Sequence, residues 1–214
     1  ATAATVTVES GSLAKLLSAC VFPAGLSMVI LAGSELFTGN CLMVMALLER
    51  RITPAQLLRN WLTVYLGNAV GGAAVAALAV YSHTASIFGD GLARSMVSIA
   101  ESKAALGAGD AFLRGVLCNF LVCLAVWMAA ASKRAEGKVI ALFFPILLFV
   151  LCGYEHCIAN LYYLPAGAFA AAEYGMETTL TLAGCLKNLA AVTLGNLVGG
   201  AALGVGYRFA YLKE

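Results

Sequence analysis

Charge is scarce in this chain, and that scarcity excludes most classes of protein at once. Only 11% of the 214 residues are charged and 62% are hydrophobic, whereas a soluble domain carries about 25% charge. There is no Lys/Arg-rich run and the net charge is only +2, so nothing suits the phosphate backbone of a nucleic acid. No C-x-x-C pair occurs among the seven cysteines, Cys20, Cys41, Cys118, Cys123, Cys152, Cys157 and Cys185, all of which lie in apolar segments. An odd count without such a pair argues against a disulfide framework or a zinc site, and leaves small, polarizable packing residues. No metal and no cofactor is expected. The first ten residues hold no basic residue, so no cleavable signal peptide is visible. Short alternating strands are also missing, which excludes a membrane barrel.

Long apolar runs are what the sequence has instead, with a mean hydropathy of +0.90. Five regions reach the roughly 20 residues that a helical span needs: 12–48, 57–82, 107–131, 138–171 and 180–207. The first and fourth are interrupted. GSELFTGN (33–40) and GYEHCIAN (153–160) each place glycine, glutamate and asparagine inside an apolar run. In hydrocarbon, non-helical backbone is tolerated only where it is buried in protein or lines a wet cavity. Arg50, Arg51 and Arg59 cluster after the first span, Lys133, Arg134 and Lys138 after the third, and Arg208 and Lys213 after the last. The connections 83–106 and 172–179 hold only Arg94 and Lys103. Basic loops face the cytoplasm, which puts the C-terminus inside and Lys103 in an outer loop. Trp61 and Trp127 read as interfacial anchors on the basic side.

The two interruptions share the pattern G-x-E-x-x-x-x-N, and a second match follows each of them. LRNWLTVYLGNAVGGAA (58–74) and LKNLAAVTLGNLVGGAA (186–202) agree at 11 of 17 positions. Two matches in the same order mark an internal duplication, with copies at about 12–82 and 107–207 of one transmembrane domain covering 1–214. The period of three spans is odd, so the copies run in opposite directions; Arg59 and Lys187, at equivalent positions, fall on opposite sides. This is the inverted-repeat plan of transporters and channels, with broken helices meeting near the midplane. The second copy carries a span, 107–131, ahead of its break. Its counterpart would precede residue 1, so the chain reads as five of six spans, with residues 1–11 as the loop that follows the first. Gly67, Gly71, Gly195 and Gly199 form GxxxG pairs for close helix packing.

GSELFTGN, RNWLTVYLGNAVGG, CNFLVCLAVWM and GYEHCIANLYYLP resemble the formate/nitrite transporter family of formate, nitrite and hydrosulfide channels, over essentially the whole chain from Leu16 onward. The resemblance implies an all-α, aquaporin-like bundle in a bacterial cytoplasmic membrane, homopentameric in the lipid bilayer, with one pore per protomer for a small anion. It implies apolar constrictions at Leu26, Leu36 and Phe149, and further pore-lining positions at Phe22 and Val122. It also implies a pore threonine at Thr38, a pore histidine at His156, pore-facing amides at Asn119 and Asn160, and an anion-attracting lysine at Lys103. Which of the three anions is physiological is not legible, although T-G-N after Phe37 resembles the formate and hydrosulfide branches.

The residues themselves weigh these roles. An ionisable residue within a membrane break is functional by default, and His156 alone in the pore can exchange a proton near neutral pH. Asn119 and Asn160 would orient its ring. Thr38 suits helix capping as well as a pore wall. Glu35 and Glu155 occupy one position in both copies, which suits a structural carboxylate accepting hydrogen bonds from freed backbone N–H groups. Two rival classes remain: an aquaporin-like channel for neutral solutes, weakened by the lack of an NPA motif, and an intramembrane enzyme using His156, Glu155 and Cys157. Consecutive residues seldom face one another, so no enzyme is expected.

Overall fold

The computed structural model describes residues 2, 3 and 10–211, and among these it contains helices and no strands. The ends of the chain, including Lys213 and most of the 1–11 loop, lie outside the described residues. The first interrupted span comprises α1 (Gly11–Val21) and α2 (Pro23–Ala32), a break, then the short helices α3 (Phe37–Asn40) and α4 (Val44–Leu48), joined by a 3-10 turn at Cys41–Met43. Next come α5 (Pro54–Tyr81), α6 (Gly91–Ala105) and α7 (Ala108–Ala130). The second interrupted span is α8 (Ala135–Leu151) and α9 (Cys157–Glu173), and α10 (Leu182–Tyr211) closes the bundle.

Among the described residues, four stretches are long and apolar enough to cross a membrane: Gly11–Ala32 (α1 and α2 together), α5, α7 and α10. At 1.5 Å per residue the 28 residues of α5 extend roughly 42 Å. Its start is set locally. Thr53 accepts from the Gln56 N–H, the Gln56 side chain accepts from the Thr53 N–H, and Pro54 sits at the first helical position, where its missing N–H costs nothing.

Glycine spacing governs how α7 and α10 pack. A Cβ on Gly195 would lie 2.2 Å from the Phe112 carbonyl oxygen, and one on Gly199 2.1 Å from that of Val116. Only glycine permits that approach. The equivalent Gly67 and Gly71 on α5 meet nothing within 4 Å, so close packing at GxxxG is realised in the second copy and uncovered in the first.

Two readings are corrected here. The connection 83–106 contains a helix, α6, and Lys103 lies in its last turn rather than in a loop. Eleven polar or small residues among its fifteen blur the apolar stripe that would mark a helix. Glu101 ties α6 to the connection before α10. It accepts from the Thr179 N–H and the Thr178 hydroxyl, which hold its carboxyl below the usual range. Trp61 is more than an interfacial anchor: its indole N–H donates to the Asn40 carbonyl at 3.0 Å, bracing α5 against the first break.

Candidate transport pore

Both breaks are built by the same sequence of events. Each motif glycine has a left-handed backbone, φ 73° at Gly33 and 70° at Gly153, a conformation glycine adopts without penalty. The next N–H closes the preceding helix, Ser34 to the Val29 carbonyl at 2.9 Å and Tyr154 to the Phe149 carbonyl at 3.0 Å. The chain then runs extended through Leu36 and His156 before helix resumes at Phe37 and Cys157. A helix start leaves N–H groups without intrahelical partners. The asparagine of each GN motif meets that need: Asn68 Oδ1 accepts from the Phe37 N–H at 3.1 Å, and Asn196 Oδ1 from the Cys157 N–H at 2.8 Å. Their amide N–H groups donate to the carbonyls of Glu35 and Glu155 at 3.1 and 2.9 Å. The two sequence matches are therefore halves of one device.

The motif glutamate and asparagine complete it. Asn40 Nδ2 donates to the Glu35 carboxylate and to Asn60 Oδ1; Asn160 Nδ2 donates to the Glu155 carboxylate and to Asn188 Oδ1. Both carboxylates accept from side-chain amides of the break rather than from backbone N–H groups. Glu155 has a further partner. Lys103 Nζ lies 2.9 and 3.1 Å from its two oxygens, with the ammonium 5.4 Å from the Tyr163 ring centre.

Where the breaks meet, Thr38 Oγ1 and His156 Nε2 are 2.9 Å apart. The other ring nitrogen, Nδ1, accepts from the Ala159 N–H at 3.0 Å and so caps α9. A backbone N–H can only donate, which places the proton of the neutral ring on Nε2, donating to Thr38. The Phe149 ring stacks on the imidazole at 5.9 Å between centres and 25° between planes, and Phe22 meets Phe149 edge-on at 5.4 Å.

These rings stand between two cavities. One, of about 570 Å³, is a vestibule whose lining includes the charged residues Lys15, Lys103, Arg114 and Glu155 beside Tyr163. The other, of about 220 Å³, is apolar and lined by Leu26, Leu36, Val122 and Ile146. Phe22, Phe149 and His156 border both. The fold therefore gathers Phe22, Leu26, Leu36, Val122 and Phe149, the five apolar positions singled out in the sequence, around one chamber, with His156 at its border.

A formate/nitrite transporter family model matches residues 1–210. The chain belongs to that family. It is 39% identical over 218 residues to a probable formate transporter of Methanothermobacter thermautotrophicus, a match covering 94% of this chain and 77% of the relative. It is 38% identical to the formate channel FocA of Haemophilus influenzae, across 96% of this chain and 78% of the relative. A solved pentameric formate channel with formate bound superposes with a TM-score of 0.85 at 31% identity, covering 99% of this chain and 89% of that one. A solved FNT family ion channel gives the same TM-score at 32% identity, over 98% of this chain and 81% of that one.

For this family member, the two pore amides need correcting. Asn119 Nδ2 donates to the carbonyls of Thr38 and Asn196 at 3.2 and 2.7 Å, and Asn160 is committed to Glu155 and Asn188. Neither hydrogen-bonds the imidazole, because the Asn119 amide is spent on the carbonyls of Thr38 and Asn196 and the Asn160 amide on the Glu155 carboxylate and Asn188. The ring is oriented by Thr38 and the Ala159 N–H. Thr38 caps no helix; it is fully buried and reaches the pore only through His156. Asn60, Asn68, Asn188 and Asn196 were not singled out, although their recurrence within the 17-residue repeat was the signal that could have found them.

Proposed function

We propose that this chain forms a transmembrane passage for small monovalent weak-acid anions of the formate, nitrite and hydrosulfide kind, one pore per protomer of a homopentamer. The observation that supports the reading is the Thr38–His156 hydrogen bond, made by an imidazole that borders both the cation-lined vestibule and the apolar chamber. A bare anion meets a steep barrier there, since the idealised cost of moving a carboxylate-sized ion into a low-dielectric medium is of order 20 kcal/mol. A neutral acid avoids most of that cost. Protonating the neutral ring at Nδ1 displaces the Ala159 N–H and makes an imidazolium, with Thr38 Oγ1 still accepting the Nε2–H. The imidazolium gives a proton to the anion at the vestibule side and returns to the neutral, capped ring. The acid then crosses between Phe22, Phe149, Leu26 and Leu36 and releases the proton beyond.

The repeat boundaries, about 12–82 and 107–207, and the placement in a bacterial cytoplasmic membrane with the C-terminus inside belong to the same reading. They are supported by the paired breaks and by the Arg50–Arg51 and Lys133–Arg134 loops. The decisive experiment is uptake of formate, nitrite and hydrosulfide, side by side, into proteoliposomes holding the purified oligomer, with and without an inward proton gradient. Uptake of at least one, stimulated by the gradient, is expected. Permeation of glycerol or water with no anion uptake would assign the pore to neutral solutes instead.

A further inference from the structure

Three cations line the vestibule, and only some of them are free to meet an anion. Lys15 comes from α1, Lys103 from α6 and Arg114 from α7. Lys103 is committed. Its ammonium contacts both Glu155 oxygens, and the two side chains are only 15% and 9% exposed. Such a pair carries no net charge, and its field in the cavity falls off faster than that of a single ion. Lys15 and Arg114 differ in both respects: each residue is exposed, and neither makes an ion pair among the described residues.

Their positions are fixed relative to the break. The Lys15 ammonium stands 3.4 Å from the place a Cβ on Gly153 would take, and the Arg114 carbonyl accepts from the Glu155 N–H at 3.3 Å. The two cations therefore belong to the mouth that leads to His156. A cleft with low-dielectric walls and one sign of free charge concentrates the opposite ion.

Resting on the anion-channel reading, we infer that Lys15 and Arg114 are the anion-capturing residues of the vestibule, and that Lys103 is a positioning residue which neutralises Glu155 and holds the second break. The pair takes a small monovalent anion still in its ionised form, before any proton is supplied. Two free cations also explain how capture survives the neutralisation of the third.

The test is the concentration dependence of initial formate uptake by the reconstituted oligomer, at roughly 20 and 500 mM salt to bracket a Debye length of about 8 Å. Lys15→Gln/Arg114→Gln is expected to raise the apparent KM about five-fold at low salt, with a smaller change at saturating formate and a flattened salt dependence. Lys15→Arg/Arg114→Lys keeps both charges and is expected to restore the wild-type values. Each single Gln variant should show about half the logarithmic effect, and these replace the double variant if it does not assemble. Lys103→Gln/Glu155→Gln, which removes both charges of the pair at once, is expected to lower the thermal stability of the oligomer while leaving the salt dependence of the assembled fraction intact. A Lys15→Gln/Arg114→Gln variant with wild-type KM and salt dependence overturns the inference, as does loss of salt dependence in Lys103→Gln/Glu155→Gln. In either case wild-type uptake leaves the anion-channel reading standing. A wild-type oligomer that takes up none of formate, nitrite or hydrosulfide overturns both.

Discussion

His156 performs two tasks with one ring, and each nitrogen has its own. Nδ1 caps α9 through the Ala159 N–H, and Nε2 bonds Thr38 across the junction of the breaks. The neutral ring already carries its proton on Nε2, so titration adds the second at Nδ1 and displaces the Ala159 cap, which couples proton uptake to the start of α9. Across the duplication Leu36 stands where His156 does, and Ile158 where Thr38 does. Leu36 and Ile158 both line the apolar chamber. The repeat thus supplies one polar pair and one apolar pair from equivalent positions, which makes the passage chemically one-sided. His156→Asn separates the two tasks, because an asparagine oxygen is among the best helix caps but has no proton to exchange near neutrality. The variant is expected to assemble as the wild type does, checked by its oligomer in detergent. It is expected to lose its pH-dependent formate uptake between about pH 5 and 8, by roughly a hundred-fold. Normal pH-dependent uptake by the assembled variant would remove His156 from proton transfer and leave it only a cap.

Among the helices, the GN asparagines fasten each break to a continuous span. Asn196 joins the start of α9, the Glu155 carbonyl and the Gly115 carbonyl of α7, and it is fully buried. Removing its amide leaves the Cys157 N–H and the Glu155 carbonyl without partners, at about 1–3 kcal/mol for each buried group, while the Gly115 carbonyl, interior to α7, loses a second bond. Asn196→Ala is therefore expected to destabilise the oligomer by about 3 kcal/mol or more. Asn68→Ala, which breaks two such bonds at a half-buried site, should cost about 1 kcal/mol; thermal melts in detergent rank the two. Packing gives a matched contrast within α10. Gly199→Ala drives a methyl into the Val116 carbonyl, whereas a Cβ on Gly206 meets nothing within 4 Å. The first is expected to disrupt the α7–α10 contact. The second should be neutral or stabilising by about 0.5–1 kcal/mol, as the same melts would register. Both asparagine positions and both glycine pairs stand openly in the 17-residue repeat, because duplication preserves local pattern. Their bonding does not, since Asn196 and Cys157 are brought together only by the docking of α10 on α9. The Lys103–Glu155 pair was hidden for the same reason, and α6 was hidden by its polar composition.

At the scale of the molecule, the passage is two cavities of about 570 and 220 Å³ divided by an aromatic partition. Composition announces the apolar bundle, and the family resemblance places Leu26, Leu36, Val122, Phe22 and Phe149 along a pore. Neither predicts that Phe149 would touch both Phe22 and the imidazole, because ring orientations follow from packing across helices. That double contact makes Phe149 the element whose loss should be most visible in selectivity. Truncating it removes the wall shared by the vestibule and the chamber, and hydrophobic constrictions set which solutes pass. Phe149→Ala is expected to admit larger monocarboxylates such as lactate while retaining formate uptake. The ring is only 4% exposed, and deleting a buried Phe costs about 3–5 kcal/mol, so assembly must be verified first. Phe149→Leu provides the control, since it keeps most of the volume and gives up the aromatic stack on His156. A size cut-off in Phe149→Leu near that of the wild type, beside a relaxed one in Phe149→Ala, would show that bulk sets the limit. Relaxation in both would assign the limit to the stacked ring itself, and an unchanged cut-off in an assembled Phe149→Ala oligomer would place the constriction deeper, at Leu26 and Leu36.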